Sequence, residues 1–390
     1  MVERTGSVRL RTIAREWGRI GLLGFGGPPA HILLLRRLCV EQRGWLSARE
    51  FEDGTAATNL LPGPASTQLA IFTAWRLHGA AGALVGGVCF IAPGLVLILA
   101  LSALFLAGDP PLWVLGAAAG AGAAVPAVAL QAAAALVPGS FGRAGTERAG
   151  RVRWAGYALA GAVAAVLAGP WLVLVLVAAG LTEVAVRSRG SAPGGTRRGP
   201  LRMSVALPAL GGLGGLGALA WVAFKVGALS YGGGFVIIPL MQADAVHRYH
   251  WMTDGQFLNA VALGQVTPGP VVHTVAAVGY AAAGLGGGLL AAAVAFGPSF
   301  LFVILGGRHF DRLRADTRVQ DFLTGAGPAV TGAIAGSAVP LAASLRYGWQ
   351  WGVLAAAVLW LLAARRGVVT ALVCASVLGA LAASAGLPPG

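Results

Sequence analysis

The chain reads NLLPGPASTQ at residues 59–68 and GQVTPGPVVHT at residues 264–274. Each stretch sets Pro-Gly-Pro in the middle of an apolar run that otherwise has the character of a helix. Pro62, Pro64, Pro268 and Pro270 have no N–H to continue a helical ladder. Leu61, Gly63, Thr267 and Gly269 each precede a proline and are pushed toward extended backbone. A break is therefore forced at both places. Proline also suits the first turn of a new helix, where its missing N–H would have no partner anyway. Pro64 can thus open a helix whose unpaired N–H groups belong to Ala65, Ser66 and Thr67, and Pro270 one whose unpaired groups belong to Val271, Val272 and His273. A helix start carries about half a positive charge and accepts anions. Two readings stand at this point: a pair of helix starts facing one oxyanion, or two proline kinks of the kind transmembrane helices tolerate.

Composition places these breaks in a membrane. The 390 residues are 57% apolar and 11% charged, with a mean hydropathy of +0.76, against about a quarter charged in a soluble domain. The formal net charge of +14 would suggest nucleic acid in a soluble protein. Here the arginines gather between apolar segments, as the positive-inside rule expects, and no nucleic-acid partner is expected. Cys39, Cys89 and Cys374 have no metal or disulfide spacing. The N-terminal MVERTGSVRLRTIAREWGR lacks an apolar core with a cleavage site, so no signal peptide is expected. No Ser-His-Asp, metal or phosphate-loop arrangement appears, and neither enzyme activity nor a cofactor is expected.

The second half of the chain repeats the first. A separation of 206 residues pairs Arg19 with Lys225, Gly26 and Gly27 with Gly232 and Gly233, Trp45 with Trp251, Phe51 with Phe257 and Pro62 with Pro268. A separation of 205 then pairs Gly79 with Gly284, Gly82 with Gly287 and Pro93 with Pro298. The expected units are residues 1–187, a polar linker over 188–203, and residues 204–390, the last with an extra helix at about 204–219. Arginines change sides between equivalent loops. The loop at 36–53 holds four, its counterpart at 242–257 only Arg248; the loop at 108–111 holds none, its counterpart at 307–321 four. The expectation is an all-α integral membrane protein of two inverted-topology repeats, with broken or re-entrant helices at the GGP/GGG and PGP motifs. The N-terminus then lies inside and the C-terminus outside. The rival is a duplicated helical bundle without a transport role.

Other residues near the breaks are candidates for the same site. Gly26 and Gly27 before Pro28-Pro29, and Gly232, Gly233 and Gly234, interrupt helix and let a backbone approach an ion, or let helices pack closely. Arg19 and Lys225 are cations inside apolar segments, to be read as charge partners of an anion or as snorkelling side chains. Asn59, Ser66, Thr67 and Gln68 flank the first break, and Gln265, Thr267, His273 and Thr274 the second. Such neutral groups suit an oxyanion, whereas His31 and His273 are either proton carriers or structural hydrogen-bonding groups. No acidic residue falls in the middle of a span, which fits an anionic substrate.

The order of motifs resembles one family. FGGPPAHI, RGWLS, LLPGPASTQLA and RLHGAAGAL in the first half, then YGGGFVIIPLM, HWMTDGQFLNAVALGQVTPGP, GLGGG and FGPSF in the second, resemble the chromate ion transporter family, in its long two-domain form, over about residues 15–345. The resemblance implies chromate export across the cytoplasmic membrane and chromate resistance, with sulfate as a chemically similar alternative. His273 within the second motif is a departure to note. The expected partners are a chromate- or sulfate-like oxyanion and the lipid bilayer, with a homodimer left open. The expected site lies where the two broken helices meet, at Pro62–Gln68 and Thr267–Thr274, with Lys225 and Arg19 supplying charge.

Overall fold

The structure is a computed structural model describing residues 8–25, 27–59, 61, 63–106, 110–167, 171–190, 215–230, 237–306 and 316–388. Within them all regular secondary structure is helical. Four helices are long and apolar enough to cross a membrane. They are α4 (Ala65–Phe105), α5 (Leu112–Arg143), α11 (Thr274–Gly306, extended at its start by Val271–His273) and α12 (Thr317–Ala343). Shorter helices complete the chain: α1 (Leu10–Leu23), α2 (Pro28–Arg36), α3 (Ala48–Thr58), α6 (Arg148–Leu167), α7 (Leu172–Gly190), α8 (Leu216–Leu229), α9 (Ile237–Gln242), α10 (Asp254–Val266), α13 (Gly348–Val358) and α14 (Val368–Ser384).

The backbone repeats as closely as the residues do. Helix α8 begins and ends 206 residues after α1. A wide π turn follows α2 at Arg37–Gln42, and its counterpart follows α9 at Ala243–Arg248. Ser47 and Glu50 cap α3 reciprocally, and Thr253 and Gln256 cap α10 the same way. Such a box supplies acceptors for two N–H groups that the first helical turn leaves unpaired. The backbone N–H of Ser47, helped by Arg76, holds the Glu50 carboxyl below the usual carboxylate range.

Each long helix that follows a Pro-Gly-Pro is a hairpin of two arms. Helix α4 reverses at His78–Gly79 and α11 at Ala283–Gly284. Gly79 has φ 60°, ψ −150° and Gly284 φ 62°, ψ −155°, a region essentially open to glycine alone. The short arm packs back on the long one. Gly82 and Gly86 lie against Ala74, and Gly287 lies against Gly279. The two long arms then cross. Gly87 lies beneath Phe300, whereas Leu99 reaches Gly288, so the arms run antiparallel. Helix α5 packs on α14 through Gly116, Gly120 and Gly379, and α12 packs on α6 and α7 through Gly325, Gly332 and Gly336. These small residues bring backbones within the distance that a Cβ would occupy, which is how helices associate when lipid supplies no hydrophobic drive. Each half thus lends its second long helix to the last helices of the other.

Three details depart from expectation. Helix α1 begins at Leu10, inside the N-terminal stretch that reads without an apolar core, because Ile13 and Trp17 face the protein interior. Helix α7 carries on through Arg187–Gly190, into the expected linker. The segment at 242–257 is not a simple polar loop, since its π turn buries Asp244. The expected helix at 204–219 falls, up to residue 214, outside the described residues.

The reversal can be tested with two neighbouring glycines. Gly284→Ala should lower stability by about 1–3 kcal/mol. Gly286→Ala, in helical backbone with open space around it, should hold or raise stability by up to about 1 kcal/mol. Thermal unfolding of detergent-solubilised protein measures both, and equal midpoints would remove glycine as a requirement of the hairpin.

Candidate functional site

At the first break α3 ends at Thr58, Gly63 takes φ 125° and Pro64 caps α4 in extended backbone. The first bond of the new helix runs from the Gln68 N–H to the Pro64 carbonyl at 3.0 Å. The N–H groups of Ala65, Ser66 and Thr67 therefore have no acceptor within the helix. At the second break Gly269 takes φ 100° and Pro270 is extended. Here the start is tighter. Val271–His273 forms a 3₁₀ turn, and the His273 N–H bonds the Pro270 carbonyl at 2.9 Å. This corrects the expectation for His273, because a bond spanning three residues closes one position earlier. Only Val271 and Val272 keep N–H groups without a helical acceptor.

A third break joins the first half to the second. Helix α1 stops at Gly24, and Pro28 and Pro29 open α2 after Gly27. The Gly24 carbonyl accepts the Gly269 N–H at 3.0 Å and lies 2.9 Å from Nε2 of His31. A carbonyl only accepts, so Nε2 carries the proton and Nδ1 accepts from the Ser66 hydroxyl at 3.3 Å. Both nitrogens of His31 are thus held in structural hydrogen bonds. The His31 side chain binds the glycine break of the first half to the first Pro-Gly-Pro segment, and the Gly24 carbonyl binds it to the second.

Both Pro-Gly-Pro breaks open on one cavity of about 680 Å3. Gly27, Asn59 and Ala65 reach it from the first half, and Gln265, Thr267, Gly269 and Val271 from the second. Helix α5 adds Gln131, a residue the sequence reading missed. It is the single strongly polar side chain in VPAVALQAAAALVPG, residues 125–139, and a polar residue deep in a span is itself a signal of function. Among the described residues the wall carries no ionisable side chain. Its polar character comes from backbone and neutral amides. Nε2 of Gln265 is buried without a hydrogen-bond partner. The Thr267 hydroxyl donates to the Leu263 carbonyl at 2.7 Å and that of Thr274 to the Val271 carbonyl at 2.8 Å, so these two hydroxyls serve the helix ends first.

Other expected site residues lie behind or away from this wall. Ser66, Thr67, Gln68, Val272, His273 and Thr274 are buried and do not line the cavity. The His273 ring packs edge-on against Phe296 and over Gly94, whose missing side chain makes room for it. The Ile91 carbonyl stands close by without completing a well-formed hydrogen bond. Arg19 is on the exposed face of α1, opposite Ile13, Trp17 and Ile20, and does not reach the cavity. Lys225 points inward and forms an ion pair with the buried carboxylate of Asp244, with its ammonium near the Trp221 ring. Its charge is balanced there, so the structure makes it a core ion pair rather than an open cation. Gly26, Pro62, Gly232, Gly233 and Gly234 lie outside the described residues.

Comparison with known proteins agrees over nearly the whole chain. A family model described as Chromate transporter matches residues 11–183 and 217–383. A chromate transport protein of Cupriavidus metallidurans is 34% identical over 343 residues, covering 85% of this chain and 82% of that protein. One of Pseudomonas aeruginosa is 32% identical over 341 residues, covering 83% and 79% respectively. A probable chromate transport protein of Synechococcus elongatus is 27% identical over 340 residues, covering 85% and 84%. No solved structure matches. With both halves matched by one family model and such identity over most of the length, the chain belongs to the chromate transporter family.

Proposed function

We propose that this protein is a secondary transporter that exports chromate across the cytoplasmic membrane and so confers chromate resistance. The observation that carries the reading is the single cavity shared by the two Pro-Gly-Pro breaks. Helix α4 and the turn leading into α11 both start at its wall, through Ala65 and Val271. Their unpaired N–H groups and the amides of Asn59, Gln131 and Gln265 are neutral donors. Such donors bind a tetrahedral dianion without adding a fixed charge that would hold it too firmly for release. Thr67, Thr274 and His273 support this shell from behind. Lys225 is left to its pair with Asp244.

The two halves are inverted in the membrane in this reading. The antiparallel crossing of the long arms of α4 and α11 supports it, as does the change of side of the arginines between equivalent loops. The N-terminus and the linker over 188–203 then face the cytoplasm, and the C-terminus faces outward. Outward movement of a dianion is downhill in a cell with a negative interior, by about 2.3 kcal/mol per charge per 100 mV. Sulfate has the same charge and shape, so selectivity between the two anions is a matter for measurement.

Everted membrane vesicles should accumulate chromate, with sulfate tested as competitor. The double variant P64A/P270A should accumulate on the order of tenfold less, if each helix start supplies somewhat under 1 kcal/mol. Vesicles that take up no chromate under any ion gradient would refute the reading, and preferential sulfate uptake would reassign the substrate. Reporter tags in the segments 36–53 and 242–257 should report opposite sides of the membrane; finding both on one side would contradict inversion. Lys225→Met alone should cost about 3–5 kcal/mol by leaving Asp244 charged and unpaired. The pair K225M/D244L should recover most of that in thermal unfolding and retain transport. A double variant that folds and transports nothing would return Lys225 to the site.

A further inference from the structure

The first Pro-Gly-Pro break also faces a second, smaller cavity of about 250 Å3. It shares Asn59, Ala65, Ala135 and Leu136 with the main one, so the two spaces adjoin at the start of α4. From there the smaller cavity runs along the last two turns of α5 to Arg143. Among the described residues, Arg143 is the one ionisable side chain in the wall of either cavity. In the sequence it reads as one more arginine of a positive loop.

The packing around it leaves its charge unbalanced. Its guanidinium lies over Gly327 of α12, where a Cβ would stand 2.8 Å from Nη2. Glu183, the buried acid at this end of the bundle, is already engaged by Arg153 at 2.9 Å, Arg187 at 2.7 Å and the Tyr157 hydroxyl at 3.2 Å. Arg187 in turn donates to the backbone carbonyl of Arg143 at 3.4 Å, which binds the end of α5 to this cluster without neutralising the guanidinium. No ion pair involving Arg143 occurs among the described residues.

We propose that Arg143 and the cavity between it and Ala65 form an anion-capture subsite for a doubly charged tetrahedral oxyanion, on the route from the arginine-rich end of the molecule to the main cavity. The inference rests on the transport reading and extends it by a residue and a position. The physical need is specific. The main cavity offers only neutral donors, and drawing a dianion out of water into such a space is costly. A planar guanidinium presents paired donors that match two oxygens of a tetrahedral anion. Standing at the entrance rather than in the central cavity, it lowers the cost of leaving water and keeps the deeper site weak enough to release its cargo.

The test compares equilibrium binding of radioactive chromate and radioactive sulfate to the purified full chain in detergent with uptake into vesicles. Arg143→Gln should raise the apparent Kd and KM about tenfold, the worth of one charge-assisted hydrogen bond, and leave the maximal rate within about twofold of wild type. Arg143→Lys keeps the charge but loses the planar fork, and should fall between the two. Arg148→Gln removes an equal charge from the same loop outside both cavities and should behave as wild type. Wild-type affinity in Arg143→Gln overturns the subsite, as does an equal loss in Arg148→Gln, which would mark a general surface-charge effect. Should Arg143→Gln not fold, Arg143→Lys decides, and wild-type affinity there overturns the proposal. A wild-type protein that neither binds nor carries either anion overturns the transport reading itself, whereas an active wild type with an unchanged Arg143→Gln overturns the subsite alone.

Discussion

A backbone N–H that loses its helical acceptor inside a bilayer must find another partner, because lipid offers none. That constraint organises this molecule. Prolines at 64 and 270 start helices afresh at depth, and the N–H groups they leave cannot face hydrocarbon. The fold meets the requirement in two ways. It turns the start of α4 and the turn before α11 onto a shared cavity, and it binds the adjoining loops to each other through the Gly24 carbonyl, the Gly269 N–H and the His31 ring. The cavity and the clasp are two consequences of one forced break. The proposed function rests on this cavity, lined by unpaired donors and, among the described residues, by no fixed charge.

Close packing makes such an arrangement rigid enough to persist. The two hairpins cross antiparallel through Gly87 and Gly288, and α5 and α12 each cross over to the other half. Most of these contacts join glycine or alanine to a backbone carbonyl, so their attraction comes from van der Waals contact at short range. A chain with 60 glycines is suited to that mode. Because the halves interleave, neither break could form its wall alone. Ala65 needs the second half to close the space opposite it, and Val271 needs the first.

The halves have also diverged where they meet. His273 stands where the first half has Thr67, and Gly94 stands where the second has Ser299. The imidazole occupies the space that the missing side chain of Gly94 leaves, while Ser299 approaches Gly63 beside Gln68. Lys225 and Arg19 differ in the same manner. Asp244 pairs with Lys225, and the residue at the equivalent position of the first half is Leu38. A cation turns inward only where a carboxylate balances it. Among the described residues Arg19 has none, and it faces outward.

Much of this was legible in the chain by itself. Proline and glycine act on their own backbone and on their immediate neighbours, so the breaks at Pro64 and Pro270, the starts of α4 and of the turn before α11, and the duplication that relates them needed no tertiary information. Membrane location followed from composition, and the family from the order of the motifs. Which side chains meet at those breaks was not legible. Periodicity does not say that Gln131 reaches the cavity from α5, that Arg143 adjoins it, that Asp244 is buried under Lys225, or that a 3₁₀ turn occupies the N–H of His273. Those outcomes depend on contacts between residues far apart in the chain, on which face of a helix is covered and on which charges find partners. The sequence alone determined where the helices must break. Only the tertiary structure decided what the broken ends face, because that is set by packing between two halves that no local rule connects.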